Sequence, residues 1–305
     1  MKSSGNSRVR GARPEASIEQ SIERDGIIRR GDRVAIACSG GADSVALVHA
    51  LCAVRKPMEL DLSIAHVNHG TRASAWQDEC VVLRIAASFA LPVRIAALQA
   101  RARDEAALRE ARYAALAELA RASGANVIAT AHHREDQSET VLLALLRGAG
   151  PEGLRGMRAR RALVPGIDLA RPLLRVAAED LRHAAHAHAL PYAVDPTNAD
   201  RGLRRNALRA ALEALRPLFP GLDAAVARTA ELLGEEFDGS QRADLRREVR
   251  AALAAQEGLR DVDFAHVEAA VRTIERGGSG RFHMKTGVEL RVEQGIIVRT
   301  DEMPR

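Results

Sequence analysis

Between residues 33 and 146, short apolar runs alternate with longer amphipathic stretches, and this alternation narrows the possible folds more than any other feature of the chain. The runs Arg33 to Cys38, Leu60 to Val67, Val93 to Ala96 and Ala125 to Thr130 have strand length. The stretches from the first run to Val54, from Ala75 to Ala90, from Asp104 to Ala122 and from Asp136 to Leu146 have helix length and spacing. Strand and helix repeated in this way predict an α/β fold, a mostly parallel sheet with helices on both faces. Ligands of such sheets sit outside the carboxyl ends of the strands. The residues that follow each run are therefore the ones expected to carry chemistry.

Three of the four runs end in polar clusters. The first empties into Ser39-Gly40-Gly41-Ala42-Asp43-Ser44, the second into His66, Asn68, His69 and Arg72, and the fourth into His132, His133, Asp136 and Glu139. The Ser/Gly stretch reads as strand, tight turn and helix N-terminus. Adjacent glycines let the backbone turn and leave N–H groups uncovered, while the helix start adds orphan donors and a positive dipole end. An anion such as pyrophosphate fits there. Asp43 would repel a polyphosphate unless a cation lay between them, which implies Mg2+. The spacing is neither Walker A nor the Rossmann fingerprint, and an ordinary glycine turn is the plain alternative.

The histidines with Asp136 and Glu139 can be read as a transition-metal site or as polar recognition of a nucleotide, with the carboxylates on Mg2+ or a cationic substrate. They lack the helical i,i+4 pair of H-E-x-x-H, which favours the second reading. Acids at a helix start also serve as plain capping groups. Arg109 and Arg112 share a helix face, either ion-paired in solvent or aimed at phosphate. The run Arg201, Arg204, Arg205, Arg209 contains no acid. It is a candidate for RNA phosphate contact or a solvated helix face.

A chain of 305 residues is long enough for roughly two domains. Pro217 and Pro220 suggest the boundary. The expected organisation is a disordered basic tail over 1–16, a nucleotide-binding domain over 17–216, and a smaller, mainly helical domain over 217–305 with a hairpin-like end. Ser17 is expected to cap a short helix carrying Ile18 and Ile22. No apolar stretch approaches the roughly 20 residues of a membrane span, and no signal-peptide pattern follows Met1. The three cysteines form no C-x-x-C pair, which fits a reducing, cytoplasmic compartment. The net charge of +5 leans toward an acidic partner. Aromatic residues make up only 3% of the chain, too few for a wide base-stacking platform, so any RNA would be held through arginine and shape. Lysine occurs only at Lys2, Lys56 and Lys285. None follows the Ser/Gly turn, where a γ-phosphate would need one.

Taken together, Ser39 to Ser44, His66-Val67-Asn68-His69-Gly70-Thr71-Arg72 and Thr130-Ala131-His132-His133-Arg134-Glu135-Asp136-Gln137-Ser138-Glu139-Thr140 resemble the N-type ATP pyrophosphatases of the PP-loop family. The closer resemblance within them is to the tRNA(Ile)-lysidine synthase family. Arg171-Pro172-Leu173-Leu174 and Arg205-Asn206-Ala207-Leu208-Arg209 are similar to that family as well, and the likeness covers about residues 30 to 215. Thr71 stands where the family usually has an aliphatic residue, and Glu135 replaces the first acid of its usual Asp-Asp-Gln. The resemblance implies that ATP adenylates the C2 carbonyl oxygen of the wobble cytidine of tRNA(Ile) with release of pyrophosphate, and that the ε-amine of free lysine then displaces AMP.

The roles implied are Ser39, Gly40, Gly41 and Ser44 on pyrophosphate, and His66, Asn68, His69 and His132 on the nucleotide. Asp43 bridges through Mg2+, Asp136 and Glu139 take Mg2+ or the lysine ammonium, and Arg109, Arg112 and Arg205 take phosphate or tRNA. The implied cofactors are ATP and Mg2+. The implied partners are tRNA(Ile) with a CAU anticodon and free L-lysine, with no membrane; the oligomeric state stays open, a homodimer included. Two other readings keep the same loop: a tRNA-thiolating relative, which would commonly use paired cysteines, and a noncatalytic nucleotide-dependent RNA-binding protein, which would need no lysine site.

Overall fold

A computed structural model describes residues 14–68, 75–98, 105–193, 204–236, 241–254, 264–283 and 289–298. They fall into two compact units, one of residues 1–148 with 156–227 and one of 149–155 with 228–305. His69, Arg201 and most of the basic tail lie outside the described residues.

The first unit is built on a six-stranded sheet of β1 (Arg33–Ala37), β2 (Asp61–Asn68), β3 (Val93–Ala97), β4 (Val127–Ala129), β5 (Arg160–Val164) and β6 (Ile167–Ala170). The spatial order is β3-β2-β1-β4-β6-β5. Every neighbouring pair is parallel except β5 with β6. The helices are α1 (Pro14–Arg24), α2 (Ala42–Val54), α3 (Ala75–Ser88), α4 (Glu105–Ala122), α5 (Arg134–Leu146), α6 (Ala178–Ala187) and α7 (Arg204–Leu215). The α1 helix begins at Pro14, three residues ahead of the expected cap Ser17. A proline suits the first helical position because its missing N–H has no intrahelical partner there.

Strand periodicity decides which helices cover which face. Val34, Ile36, Leu62 and Ile64 point into one core with α1, α2, α3 and α6. The alternate residues Ala35, Ala65 and Val67 point into a second core with Tyr113, Leu116 and Ala120 of α4. Successive strand side chains face opposite ways, so a buried parallel strand must be apolar at both parities, and these are. The phosphate-loop helix α2 and the arginine-bearing helix α4 consequently lie on opposite faces of one sheet. Both begin at its carboxyl rim, since each helix runs back against its strands.

The polar network at the opposite rim is structural. Arg160 Nη1 donates to Asp32 and to the Ile27 carbonyl, its Nε donates to Asp168, and Asn126 joins Asp32 to the Arg33 amide. Arg160 reaches into it from β5, and the network ties the amino ends of β1, β4 and β6 together.

The chain continues through α8 (Leu222–Glu236), and in the second unit α9 (Gln241–Ala254) and α10 (Phe264–Glu275) share a core with the strand Glu289–Glu293, built from Val249, Leu253, Val267, Ala270, Val271 and Leu290. The buried Arg246 is paired with Glu268 and Glu235. The hairpin-like end is a three-stranded antiparallel sheet of β7 (Gly280–His283), β8 (Glu289–Glu293) and β9 (Ile296–Val298). Gln294 and Gly295 join β8 to β9, both at positive φ, the geometry of a two-residue hairpin turn. No helix among the described residues is long and apolar enough to cross a membrane.

Candidate active site

The turn after β1 has the shape its residues dictate. Gly40 sits at φ +89°, and a Cβ there would meet the Asp78 backbone oxygen at 3.2 Å, so both conformation and space call for glycine. Gly41 is the N-cap of α2 and offers no side-chain cap, which leaves the first-turn N–H groups open to an anion. Ser44 holds the turn from inside. Its hydroxyl donates to Gly41 O at 2.8 Å and accepts from Ser39 N at 3.2 Å, and Ser39 Oγ lies 3.2 Å away. A hydroxyl has one proton; that of Ser44 is spent on the loop, so Ser44 shapes the cradle, the Ser39 amide turns inward to it and the Gly41 amide reaches Ser39 Oγ at 3.4 Å, while the amides of Gly40, Ala42 and Asp43 are left for an anion.

Beneath the turn, His66 contacts Cys38 O through Nδ1 at 2.8 Å. A carbonyl only accepts, so Nδ1 carries the proton and Nε2, buried and without a hydrogen-bond partner, does not need one. His66 is 3% exposed and props the loop from below. Asn68, one pleat further on the same side, donates to Glu79 of α3 at 2.6 Å.

His133 ties the loop to the start of α5. Its Nε2 lies 3.4 Å from Asp136 Oδ2 and 3.8 Å from Asp43 Oδ2, and its Nδ1 lies 3.1 Å from Glu135 Oε2. Nδ1 is also 3.4 Å from the Asp136 amide, but it cannot accept there and donate to Glu135 at once. The shorter contact wins, and the cap of α5 rests on Asp136, which accepts from His133 N at 3.2 Å. Burial alone would lower the His133 pKa, and the three carboxylates raise it above the usual histidine value. Asp43 shows the opposite balance. Burial pushes its pKa up, and repulsion from Asp136 and Glu135 outweighs part of the help from His133 and Arg182.

Glu135, the departure from the family pattern, reaches the next helix. It accepts from Ala178 N at 2.9 Å, at the start of α6, whose N-cap Ala177 provides no side chain of its own. Despite burial, the His133 contact and this amide hold the Glu135 carboxyl down to about 2. A depressed carboxylate contributes stability above its unfolded pKa, near 4.5, that is lost as pH falls toward 2. Chemical unfolding of wild type and Glu135→Gln should therefore differ clearly at pH 6 and converge as pH is lowered through that window. A gap that stays constant down to pH 2 would refute this role.

Glu139 stands apart from the other acids. It is 1% exposed, and its oxygens are taken by Arg205 Nε at 2.8 Å and by Arg209 Nε at 2.7 Å and Nη2 at 3.0 Å. Arg205 Nη2 also reaches Asp136 Oδ1 at 3.0 Å. Burial would raise the Glu139 pKa, and the two guanidiniums hold it below the usual range instead. Asp136 is thus gripped by His133 on one oxygen and Arg205 on the other, while Asp43 remains 41% exposed at the rim.

Two recessed carboxylates facing one imidazole form a hard-oxygen donor pair that repels itself. This suits Mg2+, which takes one or two carboxylates and completes its shell with phosphate oxygens and water. Among the described residues no three His, Cys, Asp or Glu side chains gather into a metal cage. His132 is turned away from this pair. Its Nδ1 meets Thr130 Oγ1 at 2.9 Å, and burial followed by Arg171, Arg112, Arg205 and Arg109 drives its pKa well below 6.5. Arg109 and Arg112 stack over the ring of Tyr113, with guanidinium carbons 5.6 and 5.4 Å from the ring centroid.

The structure thus brings Asp43, Asp136 and Arg205 together with His133, which sequence reasoning placed in the polar cluster without giving it a role. The His133-x-x-Asp136 spacing of a helix cap was the available signal. Arg209 was legible only as one of a basic run.

A PP-loop domain family matches residues 13–215. The tRNA(Ile)-lysidine synthase of Ralstonia nicotianae is 38% identical over 284 residues, covering 89% of this chain and 60% of that protein. That of Geobacter sulfurreducens is 36% identical, over 85% and 63%, and that of Salinispora tropica is 44% identical, over 73% and 68%. The chain therefore spans about three-fifths of the length of the first two. A tRNA thiolase from Methanococcus maripaludis shares the fold at TM-score 0.62 and 16% identity, over 74% of this chain and 79% of that one. On these matches the chain belongs to the tRNA(Ile)-lysidine synthase family of PP-loop proteins.

Proposed function

We propose that this chain acts in the cytoplasm and ligates free L-lysine to C2 of the wobble cytidine of tRNA(Ile) bearing a CAU anticodon, using ATP and releasing pyrophosphate and AMP. The observation that carries the reading is the Asp43–His133–Asp136 arrangement at the mouth of an amide-lined turn. It offers an anion cradle and a divalent-cation position side by side. Attack at an α-phosphate needs those two features and no γ-phosphate lysine. In this reading the turn at Ser39 to Ser44 binds the polyphosphate, and Asp43 and Asp136 hold Mg2+, which when bound neutralises phosphate charge. His133 and Arg205 fix Asp136 in place. Glu139 acts through Arg205 and Arg209. Residues 217–305 are assigned to the tRNA-facing side of the chain.

Sulfur transfer finds little support in the cysteines. Cys38 is buried against Ser44, and burial pushes its thiol pKa up, away from the reactive thiolate. Radiolabelled lysine should become acid-precipitable with tRNA(Ile) only when ATP and Mg2+ are both present. Label in the tRNA from a sulfur donor, with none from lysine, would overturn the reading.

A further inference from the structure

On the face of the sheet opposite α2, four arginines converge on one tyrosine. Tyr113 of α4 is 7% exposed, and the guanidinium carbons of Arg112, Arg109 and Arg161 stand 5.4, 5.6 and 6.0 Å from its ring centroid. Arg171, at the carboxyl end of β6, is 2% exposed. Its Nη1 donates to Arg158 O at 2.7 Å. The Tyr113 hydroxyl meets the Arg171 guanidinium, whose charge and hydrogen bonding both act on it, in a contact looser than a well-formed hydrogen bond. Among the described residues no carboxylate pairs with any of the four arginines.

Such a cluster is expensive as it stands. Four like charges repel, and the buried Tyr113 hydroxyl and Arg171 guanidinium satisfy each other only loosely. The ring face relieves part of the repulsion through its quadrupole, and a bound oxyanion would relieve the rest. Arginine forks match phosphate oxygens in a bidentate way.

The position of the cage separates it from the nucleotide loop. Tyr113 belongs to the α4-side core and α2 to the other. Two strand spacings, roughly 10 Å, lie between β1 and β6 in the sheet. His132 bridges the gap: it follows β4, the strand between them, and feels Arg171, Arg112 and Arg109 from the cage and Arg205 from the Asp136 side. An anion in the cage is thus neighbour to the reaction centre without being part of the polyphosphate.

We propose that Arg109, Arg112, Arg161 and Arg171, gathered around Tyr113, form a phosphodiester site that grips the RNA strand beside the base being modified. The proposal rests on the reading of this chain as a tRNA-modifying enzyme, and it adds Tyr113 as the positioning residue that gathers the arginines, with Arg161 and Arg171 as two further phosphate ligands.

Binding of a tRNA(Ile) transcript, without ATP or lysine, measured between about 50 and 200 mM salt tests it. Arg161→Gln should weaken binding about tenfold at low salt and lower the slope of log Kd against log salt by about 1. Tyr113→Leu keeps all four charges but scatters them, and should also flatten the slope; Tyr113→Phe keeps the ring and should stay within about twofold of wild type. ATP binding in Mg2+ without RNA should be unchanged in Arg161→Gln. Weaker ATP binding with an unchanged RNA salt slope would assign the anion to the nucleotide and overturn the proposal. Wild-type behaviour of Arg161→Gln in both assays would make the cage a packing feature and overturn it equally. If Tyr113→Leu fails to fold, Arg161→Gln still decides. The expected salt slopes without lysine transfer would refute the lysine-ligating reading and leave the phosphate site standing.

Discussion

Asp43→Asn is expected to lose at least about 1,000-fold in ATP- and tRNA-dependent pyrophosphate release while unfolding at the same temperature as wild type or a higher one. The activity loss follows from the position of the carboxylate. It stands at the first turn of α2, beside the amides that would face a polyphosphate, and removing one charge-stabilising group from a preorganised site typically costs two to three powers of ten. The stability result follows from the direction of its pKa. Burial raises the Asp43 pKa, and the relief from His133 and Arg182, itself partly cancelled by repulsion from Asp136 and Glu135, does not reverse that direction. A carboxyl with a raised folded pKa favours the fold when protonated, and its ionised form at neutral pH works against the fold. Asparagine removes that charge. The protein thus keeps an acid where its charge works against the fold, as the proposed Mg2+ role of Asp43 requires. Thermal unfolding adds a second measurement: Mg2+ with ATP should raise the melting temperature of wild type and move the variant much less. A variant with normal pyrophosphate release would remove Asp43 from the site.

The parallel sheet was legible because its strands are apolar at both parities and its helices are not. The clusters after β1 and β4 were legible because each follows a strand, whereas His66 and Asn68 lie within β2, and His69 and Arg72 lie outside the described residues. What escaped was pairing across distant segments. Glu139 reads as an acid one turn after Asp136, open to Mg2+, a cationic substrate or a capping role, but α7 places Arg205 and Arg209 over it from 66 and 70 residues away. Nothing in the local spacing announces that. Tyr113 reads as one apolar position in an alanine-rich helix, and only the return of the chain through β5 and β6 sets Arg161 and Arg171 against it. Gln137 reads as one more polar residue of the motif. In the fold it exchanges two hydrogen bonds with the Met157 backbone, at 3.1 and 2.8 Å, and Gly156 at φ +63° leaves the room for it. The turn chemistry is local and therefore visible in sequence, whereas the electrostatic partners are long-range and are not.

Glu139→Gln should show the reverse of the Asp43 result, a loss of stability on the order of 3 kcal/mol at neutral pH. Gln keeps the shape but withdraws the charge, leaving Arg205 and Arg209 to face an amide that can donate toward them. Arg205 retains Asp136 at 3.0 Å, but Arg209 keeps only a 3.9 Å approach to it, so most of the loss falls on the α5–α7 contact. The deficit should be present above the unfolded pKa, near 4.5, and shrink as pH falls through the lower folded value, because the carboxyl is held below its usual range by the two guanidiniums against the effect of burial. Urea unfolding at pH 7 and pH 3 measures both halves. Adding Arg209→Met to Glu139→Gln should cost less than the two single losses combined, since the pair acts as one unit. Activity should fall as well, because Arg205 orients Asp136 only while Glu139 holds its Nε. A stable Glu139→Gln with a raised KM for lysine would instead place Glu139 on the substrate ammonium. For that to occur the two arginines would have to leave both of its oxygens, exposing a carboxylate that the fold keeps covered.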